Sequence, residues 1–395
     1  MIVEHIQGIF SPEHGGPMIS LRNFAQGQSR KGLTVRVRVL EGFPDCSPAL
    51  RLRAEIDQKI FQVGFPRVAG RSAALKRFLG TEEKPDIFHI HGAWHLAQKY
   101  GADEARRRGV PYTVEMMGSY QPEELSRKPW RKWLFRRAFQ DQILRQAACI
   151  HANSIREAQQ LRDLGFRGAF AIIPVGFDVE TADALESGLA DHTPPFANAP
   201  GLADQRYVLF LARVHKNKGV EVLLEAWSRL ARDHANVALV IAGPSAVGYQ
   251  AELAARYAPL VGSKKVIFLG YVDDWAKIWL YRHAAVYCLP SYSENFGATI
   301  QDALGYGTPV ITTRNTPWHN LEALGMGWLA DTEAKSLASH LHTALSLPTG
   351  VTEAMGAKAR IWIRKEFALS AVIDEQIKLY QWLSGGEKPG FVISD

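Results

Sequence analysis

Short apolar runs closed by glycine or a turn residue alternate with longer stretches of helical spacing, and the alternation halts once and restarts. IVEHIQ reads as a strand and ISLRNFAQGQSRKG as a helix ending at Gly32, since glycine can take the left-handed turn that closes a helix. TVRVRVL alternates strictly and reads as a second strand. DIFHIHGAW, YTVEMMG, ACIHANS and FAIIPVGFD follow as strands, with a helical stretch around residues 128–147. This rhythm predicts a parallel sheet with helices on both faces. Residues 180–206 hold few large apolar side chains and several Pro, Ala, Gly and Asp, and read as an interdomain linker. YVLFLAR, VALVIAG, KVIFLGYV, AVYCLPS and TPVITT then supply a second set of strands, with GVEVLLEAWSRLARDH and ATIQDALGYG as helices. The expectation is an α/β chain of two Rossmann-like, doubly wound domains, about 1–190 and 200–369, followed by a last helix from about 370.

Composition narrows the partners. With 47% hydrophobic and 22% charged residues, the chain excludes wholesale disorder, a collagen-like repeat and a coiled coil. No apolar stretch reaches the roughly 18 residues that cross a bilayer. The start has no basic segment and carries Glu4 and His5 within its apolar run, so no secretory leader is expected. Cys46, Cys149 and Cys288 form no CxxC pair, which argues for a reducing cytoplasm. The net charge of +6 permits an anionic partner without naming one.

In open α/β sheets ligands bind beyond the C-terminal strand ends, and two such halves predict a ligand cleft between them. Five motifs stand out. Glu13-His14-Gly15-Gly16-Pro17 precedes the first helix; adjacent glycines let a backbone approach an anion at a helix N-terminus, or simply make a tight turn. GxGxxG is absent, against a nicotinamide enzyme, and so is a P-loop. Arg213 and Lys218 in LARVHKNKG suit a diphosphate, with a solvated basic loop as the alternative. In SYSENFGATIQDALGYGTPVI, Glu294 precedes a helix start at Asn295-Phe296-Gly297, and Asp302 follows about two turns on. Both carboxylates can face one ligand, and the amides of 295–297 can donate to hydroxyls or phosphate. His89, His91 and His95 stand in HIHGAWH. HxH on a strand can hold a metal, but no nearby Cys or carboxylate completes the set, so no metal is expected and a histidine lining a cleft is preferred. RKPWRKWLFRR, residues 127–137, carries six basic and no acidic residues, two tryptophans, Leu134 and Phe135. It fits an anionic membrane surface or a surface helix with aromatics packed inward. No recognition module accompanies it, against nucleic acid.

Taken together these letters resemble the retaining, GT-B-fold glycosyltransferases of family 4. Segment 291–311 is similar to that family's glutamate-x7-glutamate signature, and Gly15-Gly16-Pro17, DIFHIHGAW, IIPVGFD, LARVHKNKG, VIAGP and the TPW of 316–318 extend the resemblance over almost the whole chain. The resemblance implies transfer of a sugar from a nucleotide-sugar, UDP before GDP, to a saccharide or lipid-linked saccharide acceptor in surface glycan assembly. It implies that no cofactor or metal is needed, that the second domain holds the donor, and that the last helix, about 370–395, rejoins the first domain. Carried over, Glu294, Arg213 and Lys218 would be catalytic, and Gly15, Gly16, Asn295, Phe296, Gly297 and Asp302 would bind donor. The acceptor would lie near His91, Trp94, Met117 and Ser119. The setting implied is the cytoplasm or the inner face of its membrane. Two letters depart from the family: Asp302 replaces the second glutamate, and Met117 stands where relatives often have His or Arg. Met cannot donate or share a proton, so Glu115, His91 or Ser119 is left to replace it. A nucleotide-sugar-binding protein without transfer, an epimerase or hydrolase on this fold, and a membrane or nucleic-acid adaptor are the rival readings.

Overall fold

A computed structural model describes residues 1–11, 15–43, 46, 48–188, 201–202 and 205–394. The chain divides into two compact units: Met1–Gly176 with Leu369–Asp395, and Phe177–Ala368. Strands of the first unit are β1 (Ile2–Ile9), β2 (Thr34–Glu41), β3 (Asp57–Gln62), β4 (Ile87–His91), β5 (Tyr112–Glu115), β6 (Cys149–Ala152) and β7 (Phe170–Ile172). The second unit holds β8 (Arg206–Leu211), β9 (Val237–Ala242), β10 (Val266–Gly270), β11 (Val286–Leu289), β12 (Val310–Thr313) and β13 (Gly327–Ala330); β14 (Val392–Ile393) returns to the first.

The first sheet runs β14-β7-β6-β5-β4-β1-β2-β3 and the second β10-β9-β8-β11-β12-β13. Helices cover both faces of a parallel sheet, so its inner strands are buried throughout; VALVIA of β9 is apolar and buried at every position. The first sheet departs from the all-parallel expectation at one edge, where β14 pairs antiparallel with β7. Edge strand β3 is half-exposed along most of its length, which is why its sequence carries little apolar alternation.

The stretch read as a linker needs correction. Val179–Ser187 is a helix of the second unit, N-capped by Asp178, whose carboxylate accepts from the Thr181 amide at 3.1 Å. Arg360 grips Glu186 with two hydrogen bonds of 2.6 and 2.5 Å, and Arg364 bonds Asp183. Ion pairs rather than apolar side chains hold it, so composition alone made it look like a connection. Residues 189–200 and 203–204 of that stretch lie outside the described residues.

The last helix, Leu369–Leu383, belongs to the first unit and buries Leu369, Val372, Ile373, Gln376, Leu379 and Tyr380. It lies against the first helix, Gly16–Arg30, so closely that a Cβ on Gly27 would stand 2.6 Å from Ile373 Cγ1.

Candidate functional site

In the second unit the chain leaves β8 and turns through Arg213 and a short helical turn, Lys216–Lys218, before the helix Val220–Leu230. Gly219 closes that turn at φ 71°, and a Cβ there would sit 2.0 Å from the Pro290 carbonyl oxygen. Only glycine allows this approach, and it sets Lys218 beside the residues that follow β11. Lys218 Nζ then lies 2.5 Å from Glu294 Oε1, and Ser291 Oγ donates to the same oxygen at 2.6 Å. Both bonds end on Oε1 of a carboxylate that is 8% exposed, leaving Oε2 as the oxygen for a ligand. Arg213 is exposed and has no partner among the described residues.

Gly297, at φ 82°, caps the helix Ala298–Gly305. Trp318 Nε1 donates to the Phe296 carbonyl at 2.6 Å, so the tryptophan of TPW fixes the loop that enters this helix. Asp302 stands half-buried in the helix. Burial chiefly pushes up the phenol of Tyr287, and the negative charges of Glu294 and Asp302 add to it, so the two carboxylates flank one strand end. Its phenol donates to the Leu211 carbonyl at 3.0 Å and accepts from Thr299, tying β11 to β8. The second unit thus joins Lys218, Glu294 and Ser291, with Asp302 near them. Ser291 was not foreseen; its only signal is the three-residue spacing to Glu294.

In the first unit, Trp94 (φ 73°) and Met117 (φ 51°) follow β4 and β5 in the left-handed region. A bulky residue there is strained, and such strain clusters at ligand sites. Trp94 stacks on Tyr120 with ring centroids 5.1 Å apart, and its amide donates to Gln140 Oε1 at 3.1 Å. The Gly118 amide donates to Glu157 Oε1 at 2.7 Å, holding the turn that carries Met117 and Ser119. Trp94, Met117 and Ser119 are half-buried and within reach of a ligand. Gly15 and Gly16 open the first helix, and a Cβ at either would meet nothing within 4 Å, so backbone is accessible there. Glu13 and His14 lie outside the described residues.

His91 corrects the expectation of a histidine lining a cleft. It is wholly buried, as are His5, His89, His151 and Glu115. Register explains this: His91, Glu115 and His151 are neighbours across β4, β5 and β6, and His5 pairs with His89 across β1 and β4. Their hydrogen bonds fix the protons. Gln28 Nε2 donates to Gln376 Oε1 at 2.7 Å and to Tyr380 at 3.0 Å, so its Oε1 accepts from His5 Nε2 at 2.8 Å. His5 Nδ1 must then accept from His91 Nε2, also at 2.8 Å. His91 Nδ1 is left bare, 2.7 Å from Glu115 Oε2, and two acceptors cannot bond without a proton between them. Burial holds Glu115 above and His91 down at about 3, so Glu115 keeps that proton as a neutral acid. Ligand atoms of His5, His89 and His91, and of His89, Glu115 and His151, do lie within 4.8 Å of one another. In the first set, however, His5 and His91 spend their facing nitrogens on each other. Neither Glu115 nor His91 can replace a group missing at Met117, which leaves Ser119.

Comparison with known proteins bears on the family and the fold. Residues 15–176 match the family described as Glycosyl transferase 4-like domain, and residues 196–362 match Glycosyl transferases group 1. The chain is 30% identical over 323 residues to a D-inositol 3-phosphate glycosyltransferase of Nocardiopsis dassonvillei, covering 76% of this chain and 74% of that protein. Its fold matches a sucrose-phosphate synthase from Thermosynechococcus elongatus (TM-score 0.72, 20% identity, 97% of this chain and 99% of that one). It also matches Anabaena Alr3699/HepE, solved with UDP and glucose (TM-score 0.69, 17% identity, 97% and 100%).

Proposed function

Given that this chain belongs to the group 1 glycosyl transferases and has the GT-B fold, we propose that it moves a sugar, with retained configuration, from a UDP-sugar to a saccharide or lipid-linked saccharide in surface glycan assembly. The observation that carries this reading is the cluster of Lys218, Ser291 and Glu294 beside the Gly297-capped helix, with the unpaired Arg213 on the adjoining turn. The bond from the sugar carbon to the diphosphate breaks while a bond from that carbon to the acceptor oxygen forms on the same face. The acceptor proton passes to a phosphate oxygen. Charge therefore grows on the diphosphate, where Arg213 and the ammonium of Lys218 stabilise it without a metal. Glu294 Oε2 holds donor-sugar hydroxyls, Asp302 the ribose, and the amides at 295–297 the sugar or phosphate. No protein base is required, which is compatible with Met117 and with the burial of His91 and Glu115. Trp94, Met117 and Ser119 line the acceptor side, and the reaction runs on the cytoplasmic side of the membrane. UDP is favoured by the bound nucleotide of the Anabaena neighbour. The Nocardiopsis relative favours a second acceptor, an inositol phosphate.

Arg213→Ala tests the reading. Turnover should fall about 10²–10³-fold with an unchanged melting midpoint, since the side chain is exposed. Near-normal turnover would reject the role. Thermal shift with UDP-, GDP- and ADP-sugars identifies the base, because ligand at 100 times its dissociation constant stabilises by about 2.7 kcal/mol. Binding without release of nucleoside diphosphate, in the presence of acceptors, would instead favour the non-transferring rival.

A further inference from the structure

The helix Pro129–Phe135 carries an apolar stripe that faces away from the core. Trp130, Trp133, Leu134 and Arg137 recur at the spacing of one helical face. Trp130 is 72% exposed, Trp133 60% and Leu134 48%. Inward contact is made instead by Phe135, whose ring lies 5.4 Å from that of the buried Phe139. The tryptophans therefore do not pack inward, and single exposed residues at random do not make such a stripe.

A second segment continues the stripe. Residues 64–71 form a loop closed by the Gly64 amide on the Arg71 carbonyl at 2.7 Å and by Arg71 Nη1 on the Phe65 carbonyl at 3.2 Å. So braced, the loop holds Phe65 86% and Val68 52% exposed. Arg131 donates to the Val68 carbonyl and ties loop to helix across 63 positions of sequence. Cations surround these apolar groups. Lys132 and Arg136 are neutralised by Glu124 and Asp141 at 2.6 and 3.0 Å, but Arg67, Lys128 and Arg137 have no carboxylate partner among the described residues. Arg137 rests 5.4 Å over the Trp133 ring.

We infer that the 64–71 loop and the 129–137 segment form one interfacial surface that seats the first unit on an anionic lipid bilayer. Aromatic and aliphatic side chains enter the acyl boundary while unpaired Arg and Lys meet the headgroup charge. A second copy of the chain fits worse, because self-pairing would set these cations against each other. Nucleic acid fits worse too, because Val68 and Leu134 offer bases no stacking face. Lys132 Nζ lies 5.6 Å from the Trp94 ring, so the surface borders the end of β4. A bilayer-borne acceptor would thus arrive beside Trp94; this delivery rests on the proposed transfer, and the attachment does not.

The test is co-sedimentation of the full chain with vesicles of phosphatidylcholine alone or mixed with phosphatidylglycerol, at low and high salt. The protein should pellet with the mixed vesicles at low salt, with a blue shift of tryptophan emission. Phe65→Ser with Val68→Ser, and separately Trp130→Ser with Trp133→Ser, should each lower partitioning about tenfold. Ile155→Ser, at a 73% exposed position away from either segment in sequence, should change nothing. The surface is rejected by no pelleting, by equal pelleting with neutral vesicles, or by retention of an RNA oligomer without vesicle binding. A dimer in sedimentation velocity that Phe65→Ser abolishes would also overturn it. Wild-type partitioning of the loop variant would overturn the two-segment surface. Circular dichroism melts show that each variant folds. UDP release with a water-soluble acceptor reads the transfer separately, so either idea can fail alone.

Discussion

Ser291 and Lys218 reach the same oxygen of Glu294, and this sharing sets the task of each. Two donors on Oε1 hold the carboxylate in one orientation with Oε2 outward, so binding a sugar hydroxyl costs little further ordering. Lys218 is then poised between two anions: it neutralises Glu294 until a diphosphate competes for its ammonium. Ser291 cannot move to the phosphate in that way, so its contribution is orientation. Removing one hydrogen bond to a charged group costs about 1.5–3 kcal/mol. Ser291→Ala should therefore raise the KM for donor roughly tenfold or more, with a smaller loss in kcat, read by steady-state kinetics at saturating acceptor. Equal loss in both, or none, would remove Ser291 from the positioning role. Lys218→Ala should do the opposite and act mainly on kcat, because its charge is needed most as the diphosphate departs.

Among the elements, the pairing of the first and last helices is the most exposed to substitution. Ile373 fills the space over Gly27, and Phe24, Val3 and Tyr380 share its core cluster. Ile373→Ala should destabilise the first unit by about 2–5 kcal/mol, seen as faster amide exchange in Gly16–Arg30. Gly27→Ala should also destabilise, since its Cβ would stand 2.6 Å from Ile373 Cγ1. Together the two should cost less than their sum, because the new methyl occupies the vacated space. Much of this architecture was legible in the letters: fully buried strands such as VALVIA read as apolar runs, and the last helix showed its 3.6-residue period at Val372, Ile373, Ile377 and Tyr380. What escaped had no apolar signature. The helix Val179–Ser187 is held by Arg360 and Arg364, and β3 and β14 are edge strands with little to bury. In the candidate site, the positions of Lys218 and Glu294 were legible because charge at strand ends follows a rule of topology. The burial of His91 was not, because strand register, invisible in one sequence, aligns it with Glu115 and His151.

At the scale of the whole molecule, the two units differ in what acid does to them. The first buries His5, His89, His91 and His151 in its sheet, with His5 and His91 both held down at about 3 and the other two also lowered, each chiefly by burial. A histidine whose pKa is depressed by folding is neutral in the native state while the unfolded chain takes up its proton below about 6.5. Stability from these groups is complete above that pH and is lost as pH falls. Two carboxyls work in the other direction. Burial raises Glu4 to about 7 despite Arg38, and raises Glu115 as well, so both keep protons that the unfolded chain releases above about 4.5. As pH falls below about 6.5 the unfolded chain therefore takes up histidine protons that the native state does not, with four imidazoles lowered against two carboxyls raised. Because the lowered imidazoles outnumber the raised carboxyls, the net effect is a loss of stability as pH falls. In the second unit His234 is lowered as well, chiefly by burial, but it is not in the core. Acid should thus unfold the first unit before the second. Calorimetry at pH 7.5 and pH 5 should show the heat absorption dividing, with a lower-temperature transition whose amide exchange maps to residues 1–176 and 369–395. His5→Gln, which keeps a donor and an acceptor but cannot charge, should move that transition less on acidification than wild type. A single transition shifting uniformly with pH, or an unaltered slope in His5→Gln, would show that the buried imidazoles do not carry the acid sensitivity.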